Sequence, residues 1–98
     1  MIYEILINEV APERREDYIK AYKETWVKVD RPGCRGVRFL SCIEKPGRVL
    51  VQIGWDSVEA HEAARQIPEH ATIREVAAAF NVVSEGLAHY TIDDLSGT

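Results

Sequence analysis

The feature that most constrains the fold is the order in which hydrophobic periods follow one another along the 98 residues. Apolar or alternating segments typical of strands are separated by segments with the helical period, in the order strand, helix, strand, strand, helix, strand. With short links, this order is that of the split βαβ motif. Right-handed crossovers then predict a four-stranded antiparallel sheet with two helices on one face. The expected fold class is α+β, ferredoxin-like βαββαβ, in a single domain over residues 1–98.

Four segments have the composition of strands, and the first is an unbroken apolar run suited to a central strand. The predicted strands are Ile2–Val10, Cys34–Glu44, Arg48–Trp55 and Val82–Ile92. The turn Lys45-Pro46-Gly47 joins the middle two as a hairpin. The polar tail from Asp93 to Thr98 is expected to be frayed.

Two segments have helical character. The first opens at Pro12, because proline is pre-shaped for a first helical turn. Its apolar stripe consists of Tyr18, Ile19, Tyr22, Trp26 and Val29. The second helix, from Val58 to Gln66, follows the capping sequence Asp56-Ser57. Pro68 predicts a break, after which helix resumes as far as Phe80.

Charge and cysteine content restrict the partners. The formal net charge is -4. Nucleic acids and anionic membranes bind basic surfaces, so this charge argues against both as partners. The segment Gly33-Cys34-Arg35-Gly36 matches the G-x-x-G loop of KH domains, but a solvated turn explains so short a match better.

No signal peptide or membrane span is expected. Cys34 and Cys42 are interpreted as reduced thiols that serve packing, which predicts a cytoplasmic protein.

The second face of the predicted sheet has no helix to cover it. One row of side chains from each strand, including large apolar residues, would lie on that face. A self-matching surface of this kind usually pairs by two-fold symmetry. The sequence therefore predicts a homodimer.

Several short segments, in this order and spacing, carry a family resemblance over nearly the whole chain. They are Pro12-Glu13-Arg14-Arg15-Glu16, Pro32-Gly33-Cys34-Arg35-Gly36, Trp55-Asp56-Ser57-Val58-Glu59-Ala60-His61, Ile67-Pro68-Glu69-His70 and Ala88-His89-Tyr90. With them the chain resembles the antibiotic biosynthesis monooxygenase family of the dimeric α+β barrel superfamily. The resemblance implies oxidation of a small aromatic, phenolic or quinol-type substrate by dioxygen, without metal, flavin or other cofactor, in a pocket between sheet and helices.

The fold also hosts haem degraders, sensors and other activities, so alternatives stay open. In the haem-degrading branch the resemblance implies an asparagine, a tryptophan and a histidine. The corresponding positions carry Leu6, Ala64 and His70, with Asn8 displaced by two residues from the asparagine position, so haem degradation is the lesser alternative. The main alternative is a non-catalytic dimer that binds or senses a small molecule. The chain has no HExxH motif, cysteine cluster or GxGxxG motif, so we expect no metal site.

His70 is the predicted catalytic residue. A neutral imidazole in the first turn after Pro68 could act as a general base, although a surface histidine is an equally good interpretation. Proton transfer from a phenol to histidine is uphill by roughly 5 kcal/mol, which hydrogen bonds to the phenolate could offset. The predicted substrate-binding residues are Trp55, Asn8, His61, Tyr22 and Trp26. For Trp55, Tyr22 and Trp26 the competing interpretation is a place in the hydrophobic core.

Overall fold

The computed structural model describes residues 1–94, so the fraying expected for the last four residues lies outside the described residues. The four strands are β1 (Ile2–Glu9), β2 (Cys34–Ser41), β3 (Arg48–Trp55) and β4 (Val83–Tyr90). The three α-helices are α1 (Arg15–Trp26), α2 (Val58–Arg65) and α3 (Thr72–Ala79). Two short 3-10 helices, Pro12–Arg14 and Pro68–Ala71, precede α1 and α3.

The strands form one antiparallel sheet in the order β2-β3-β1-β4. The first strand is therefore internal, as its apolar composition predicts. Ile2 lies opposite Trp55 and Glu9 opposite Arg48, so β1 and β3 pair along their full length. The α+β, ferredoxin-like fold predicted from the sequence is confirmed.

Several element boundaries differ from the prediction for local reasons. Pro12 opens a 3-10 turn, and the α-helix begins only at Arg15. α1 ends at Trp26, so Val29 lies beyond the helix although its N–H still donates to the carbonyl of Trp26. The break expected at Pro68 is present as a second 3-10 turn. β2 ends at Ser41, three residues before the predicted end.

The core lies between the sheet and the helices. Val51, Ile53 and Trp55 of β3 are almost completely buried there. From α1, Tyr18 and Tyr22 pack onto them in the same buried cluster. These three residues of β3 are buried together because residues two apart in a strand point to the same side of the sheet.

The opposite face of the sheet is uncovered in the single chain. Tyr3, Ile5 and Ile7 of β1 lie on it and are half-buried, so the central strand is covered on one face only. Apolar side chains of the neighbouring strands share this face with greater exposure. They include Leu40, Val83 and Tyr90.

A bulge at Gly86 changes which β4 side chains face the helices. The register with β1 slips between Ile5 and Ile7, and Gly86 has a φ of +69°, a conformation that glycine adopts without strain. Because of the extra residue, both Ser84 and His89 lie on the helix-facing side although they are five residues apart. Ser84 pairs with Asn8, and His89 lies opposite Glu4.

Candidate active site

A cavity of about 120 Å³ lies between the sheet and the helices. Its apolar walls are formed by Leu6, Tyr22, Trp26, Ile53, Ile73 and Leu87. Its polar lining consists of Glu4, His61, Arg65, His70 and Arg74. Aromatic walls with a few convergent titratable groups are typical of a small-molecule site.

His70 is held by a buried arginine. The Nε of Arg31 donates to Nδ1 of His70 at 2.9 Å. The same guanidinium lies 3.6 Å above the Trp26 ring and donates through Nη1 to the carbonyls of Trp26 and Val29. Arg31 is 5% exposed, and among the described residues its Nη2 is the buried side-chain polar atom that lacks a partner. Stacking and three donated bonds fix this guanidinium against the cavity wall.

The bond from Arg31 determines what His70 can offer a ligand. An arginine only donates, so Nδ1 of His70 must accept, and a neutral His70 carries its proton on Nε2. Within residues 1–94 this Nε2 has no hydrogen-bond partner and is not buried. Burial and the positive charges of Arg31, Arg74 and Arg65 lower the pKa of His70, which keeps the ring neutral. The geometry therefore offers a hydrogen-bond donor at this position, and the general base predicted from the sequence stays a prediction.

Glu4 supplies the acceptor that His70 does not. It lies in the middle of an apolar strand and is 5% exposed. Its Oε1 accepts from Nε1 of Trp55 at 3.0 Å and contacts Nε2 of His61 at 3.2 Å. Its Oε2 has no such partner in the described chain and is not buried, so we assign this oxygen to the cavity. Burial raises the pKa of Glu4, while the Trp55 hydrogen bond and the charges of His89 and Arg65 act in the opposite direction.

His61 and His89 continue this network. Nδ1 of His61 lies 2.7 Å from Nε2 of His89. The His61 ring stacks on Trp55 with the ring centres 5.0 Å apart and is 2% exposed, whereas His89 is exposed. Burial, followed by the charges of His89, Arg65 and His70, lowers the pKa of His61 to about 4. Near neutral pH His61 is therefore a neutral ring, hydrogen-bonded to His89 and in contact with the Glu4 carboxyl.

The structure brings four of the predicted site residues to the cavity, namely Tyr22, Trp26, His61 and His70. Trp55 lies behind the wall, where it orients Glu4. Asn8 is not at the cavity. Its side chain donates to the hydroxyl of Tyr18 at 2.8 Å and accepts from Ser84 at 2.6 Å, so both ends are used in the core.

Sequence reasoning missed Glu4, Arg31 and His89. For Glu4 a signal existed, because it lies in phase with the helix-facing residues of β1, where a charged side chain is unusual without a function or a partner. Strand alternation puts His89 and Tyr90 on opposite sheet faces, but only the Gly86 bulge decides which of the two faces the helices. Arg31 follows the helix in a turn, and its contact with His70, 39 residues away, has no local pattern.

The sequence model of the antibiotic biosynthesis monooxygenase family matches residues 1–76, more than three quarters of the chain. The chain belongs to this family. Membership in the family supports a monooxygenase-type function. The matched region contains Glu4, Arg31, His61 and His70. No curated protein matches the sequence.

Solved structures agree in fold with this member of the antibiotic biosynthesis monooxygenase family. SnoaB, a cofactor-independent oxygenase from Streptomyces nogalater, superimposes with a TM-score of 0.77 at 16% identity, over 99% of this chain and 97% of SnoaB. A candidate antibiotic biosynthesis monooxygenase from Deinococcus radiodurans gives 0.77 at 14% identity, over 100% and 98% of the two chains. A conserved protein from Methanosarcina mazei gives 0.71 at 13%, over 92% and 91%. At such identities the likeness shows the fold alone.

Two further features of residues 1–94 describe the family member. No helix in that part of the chain is long and apolar enough to cross a membrane. The same residues contain no group of three or more His, Cys, Asp or Glu side chains arranged to hold a metal ion. In the Glu4, His61 and His89 network the nitrogen and oxygen atoms face one another in pairs and do not converge on a common point.

Proposed function

We propose that this protein is a cofactor-independent monooxygenase that oxidises a small single-ring phenol or quinol with dioxygen. The observation that carries the proposal is the composition of one cavity. It combines aromatic walls with a buried carboxylate, Glu4, and an imidazole N–H, that of His70. The Glu4 carboxylate can accept a proton from a substrate hydroxyl. The N–H of His70 can donate a hydrogen bond to the substrate oxygen that becomes negative.

The surrounding charge favours an anionic form of the substrate. Arg65 and Arg74 line the cavity, and the Arg31 guanidinium lies directly behind His70. Positive charge near a developing phenolate stabilises it in a site with little water. Because a phenolate or quinol anion is rich in electrons, it can pass an electron to dioxygen. Without that ionisation the neutral ring is a much poorer reductant.

The overall reaction balances without an external reductant. Hydroquinone plus dioxygen gives hydroxyquinone plus water, so one oxygen atom enters the ring and the other is reduced to water. All four electrons come from the substrate. The proton taken by Glu4 in the first step is available to the reduced oxygen in the last step.

The size of the cavity restricts the substrate. An apolar cavity of about 150 Å³ is known to hold a benzene molecule. The cavity in this protein measures about 120 Å³, which fits a single ring held partly in the opening. A fused three-ring anthrone exceeds this space unless the surrounding side chains move. Size therefore favours monocyclic quinols over polycyclic substrates.

The proposal includes a homodimer formed through the uncovered face of the sheet. Tyr3, Ile5 and Ile7 lie at the centre of that face, with exposed apolar residues on the neighbouring strands. Burial of such a face against a second copy removes apolar area from water at about 25 cal/mol per Å². The resemblance of the sequence to dimeric α+β barrel proteins supports the same arrangement.

Oxygen uptake by the purified full-length protein tests this function. We expect consumption of oxygen with hydroquinone, slower consumption with anthrone, and no effect of a chelator on either rate. Glu4→Gln should lower turnover by roughly 10²- to 10⁴-fold, and His70→Ala by roughly 10²- to 10³-fold. Glu9→Gln is the matched control, because Glu9 lies on the same strand but pairs with Arg48 at the surface.

Two outcomes would contradict the proposal. Unchanged activity of Glu4→Gln would exclude Glu4 as the base. No consumption of any phenol or quinol, combined with a melting temperature raised by hydroquinone, would favour the non-catalytic binding protein, because ligand stabilisation requires only affinity for the folded state.

A further inference from the structure

We propose that Glu4, His61 and His89 form a proton relay that connects the cavity carboxyl to solvent, so that Glu4 can gain and lose its proton while substrate fills the cavity. The inference rests on the proposed function in one respect, namely that Glu4 must be able to act as a base and as an acid in the same site. It adds two groups, His61 and His89, that pass protons to and from Glu4, and a direction of proton movement.

The contacts form an unbroken chain from buried to exposed. Oε1 of Glu4 lies 3.2 Å from Nε2 of His61, and Nδ1 of His61 lies 2.7 Å from Nε2 of His89. Glu4 and His61 are 5% and 2% exposed, whereas His89 is exposed on the edge strand. Once a ligand covers Oε2, these contacts offer the Glu4 carboxyl a route to water through His61 and His89.

When Glu4 is ionised, the protons have one arrangement. A carboxylate only accepts, so in this arrangement the proton of His61 lies on Nε2, which is 3.2 Å from Oε1. Neutral His61 then accepts at Nδ1, so His89 must donate from its own Nε2. The outer nitrogen of His89, Nδ1, is left free to accept from water.

When Glu4 is protonated on Oε1, every proton in the chain is displaced by one position. The carboxylic acid donates to Nε2 of His61, Nδ1 of His61 donates to Nε2 of His89, and Nδ1 of His89 carries a proton toward water. Passing from this arrangement to the first moves one proton from Glu4 to His61 and one from His61 to His89, and releases one proton from His89 to solvent. The reverse sequence takes one proton from solvent and returns Glu4 to the acid form.

The electrostatic surroundings of His61 suit a relay. It faces Glu4 from β1, Trp55 from β3 and His89 from β4, with Arg65 on its own helix and His70 on the following turn. Burial and the neighbouring positive groups disfavour a doubly protonated ring, with a pKa of about 4. A ring that does not hold two protons must release one from Nδ1 when it accepts one at Nε2. When the proton moves inward, the same exchange runs in the opposite direction.

Nuclear magnetic resonance of the ¹⁵N-histidine-labelled full-length protein tests the relay without any substrate. Two-bond ¹⁵N–¹H spectra identify which ring nitrogen carries the proton. We expect the proton of His61 to be on Nε2 when Glu4 is ionised and to move to Nδ1 as falling pH protonates Glu4, with the ring remaining singly protonated. Glu4→Gln should abolish the exchange, because an amide oxygen accepts but is not protonated in this range. Glu9→Gln should retain it.

A second measurement tests the relay in turnover. His89→Ala should slow hydroquinone oxidation by roughly 10²-fold, and added imidazole should restore a large part of the rate while leaving the wild type unchanged. A purely structural role for His89 would show no such rescue. The relay is refuted if His61 gains a second proton with no exchange between its nitrogens, or if the exchange survives in Glu4→Gln. If the wild type oxidises no quinol, the proposed function fails, and the spectra still decide the relay independently.

Discussion

The hydrogen bond from Trp55 to Glu4 offers the sharpest test of how the site controls its carboxyl. Trp55→Phe keeps an aromatic ring in the stack with His61 but removes the Nε1–H that donates to Oε1 at 3.0 Å. This bond favours the ionised form of Glu4 and opposes the effect of burial. Without it, the pKa of Glu4 rises further above its ordinary value.

The magnitude follows from the strength of such bonds. A hydrogen bond to a charged group contributes about 1.5–3 kcal/mol, and about 1.4 kcal/mol corresponds to one pH unit. Because the protonated carboxyl keeps a weaker bond of about 0.5–1.5 kcal/mol, the pKa of Glu4 should rise by roughly one pH unit. Turnover requires ionised Glu4, so the increase of turnover with rising pH should move to higher pH by the same amount.

Carboxyl ¹³C shifts of glutamate-labelled protein, followed against pH, measure this change directly. Trp26→Phe is the matched control, because Trp26 also lies at the cavity but no hydrogen bond from its Nε1 occurs within the described residues. An unchanged pKa of Glu4 in Trp55→Phe, or an equal change in both variants, would refute the account of how Glu4 is held.

Two further predictions concern assembly and cofactor. Light scattering at micromolar concentration should give twice the 11.1 kDa chain mass. Ile5→Asp on the uncovered sheet face should lower both the measured mass and the stability, because obligate dimers often lack a stable monomer. A folded wild-type monomer would contradict the predicted dimer. Added haem should bind weakly and keep its Soret band in the presence of reductant. By the resemblance, Leu6 and Ala64 stand where haem degraders carry asparagine and tryptophan, and Asn8 is held in the core. Rapid loss of the band with release of iron would reverse that conclusion.

The fold could be predicted because it depends on local periodicity. The alternating pattern of β3 and the apolar stripe of α1 each identify a buried face without knowledge of the partner. The ends of elements were less predictable. Pro12 allows either a 3-10 or an α-helical first turn, and the choice depends on how the chain leaves β1.

The site could be predicted only where its residues lie on those faces. Tyr22 and Trp26 belong to the stripe of α1, and His61 and His70 follow recognisable helix starts. The role of His70, however, depends on Arg31, and this is a contact between the segment after α1 and the second 3-10 helix. The side on which His89 lies depends on one added residue at Gly86, because an odd shift reverses the facing of every later side chain in a strand.

Oxidation of hydroquinone under ¹⁸O₂ tests the central claim most directly. A monooxygenase that uses the substrate as its reductant places one labelled atom in the hydroxyquinone and the other in water. We expect one ¹⁸O in each product molecule formed in the first turnover, in an amount equal to the enzyme sites, and none with Glu4→Gln on the same time scale. An unlabelled quinone accompanied by hydrogen peroxide would show simple two-electron oxidation and would contradict the assignment of this cavity to oxygen insertion.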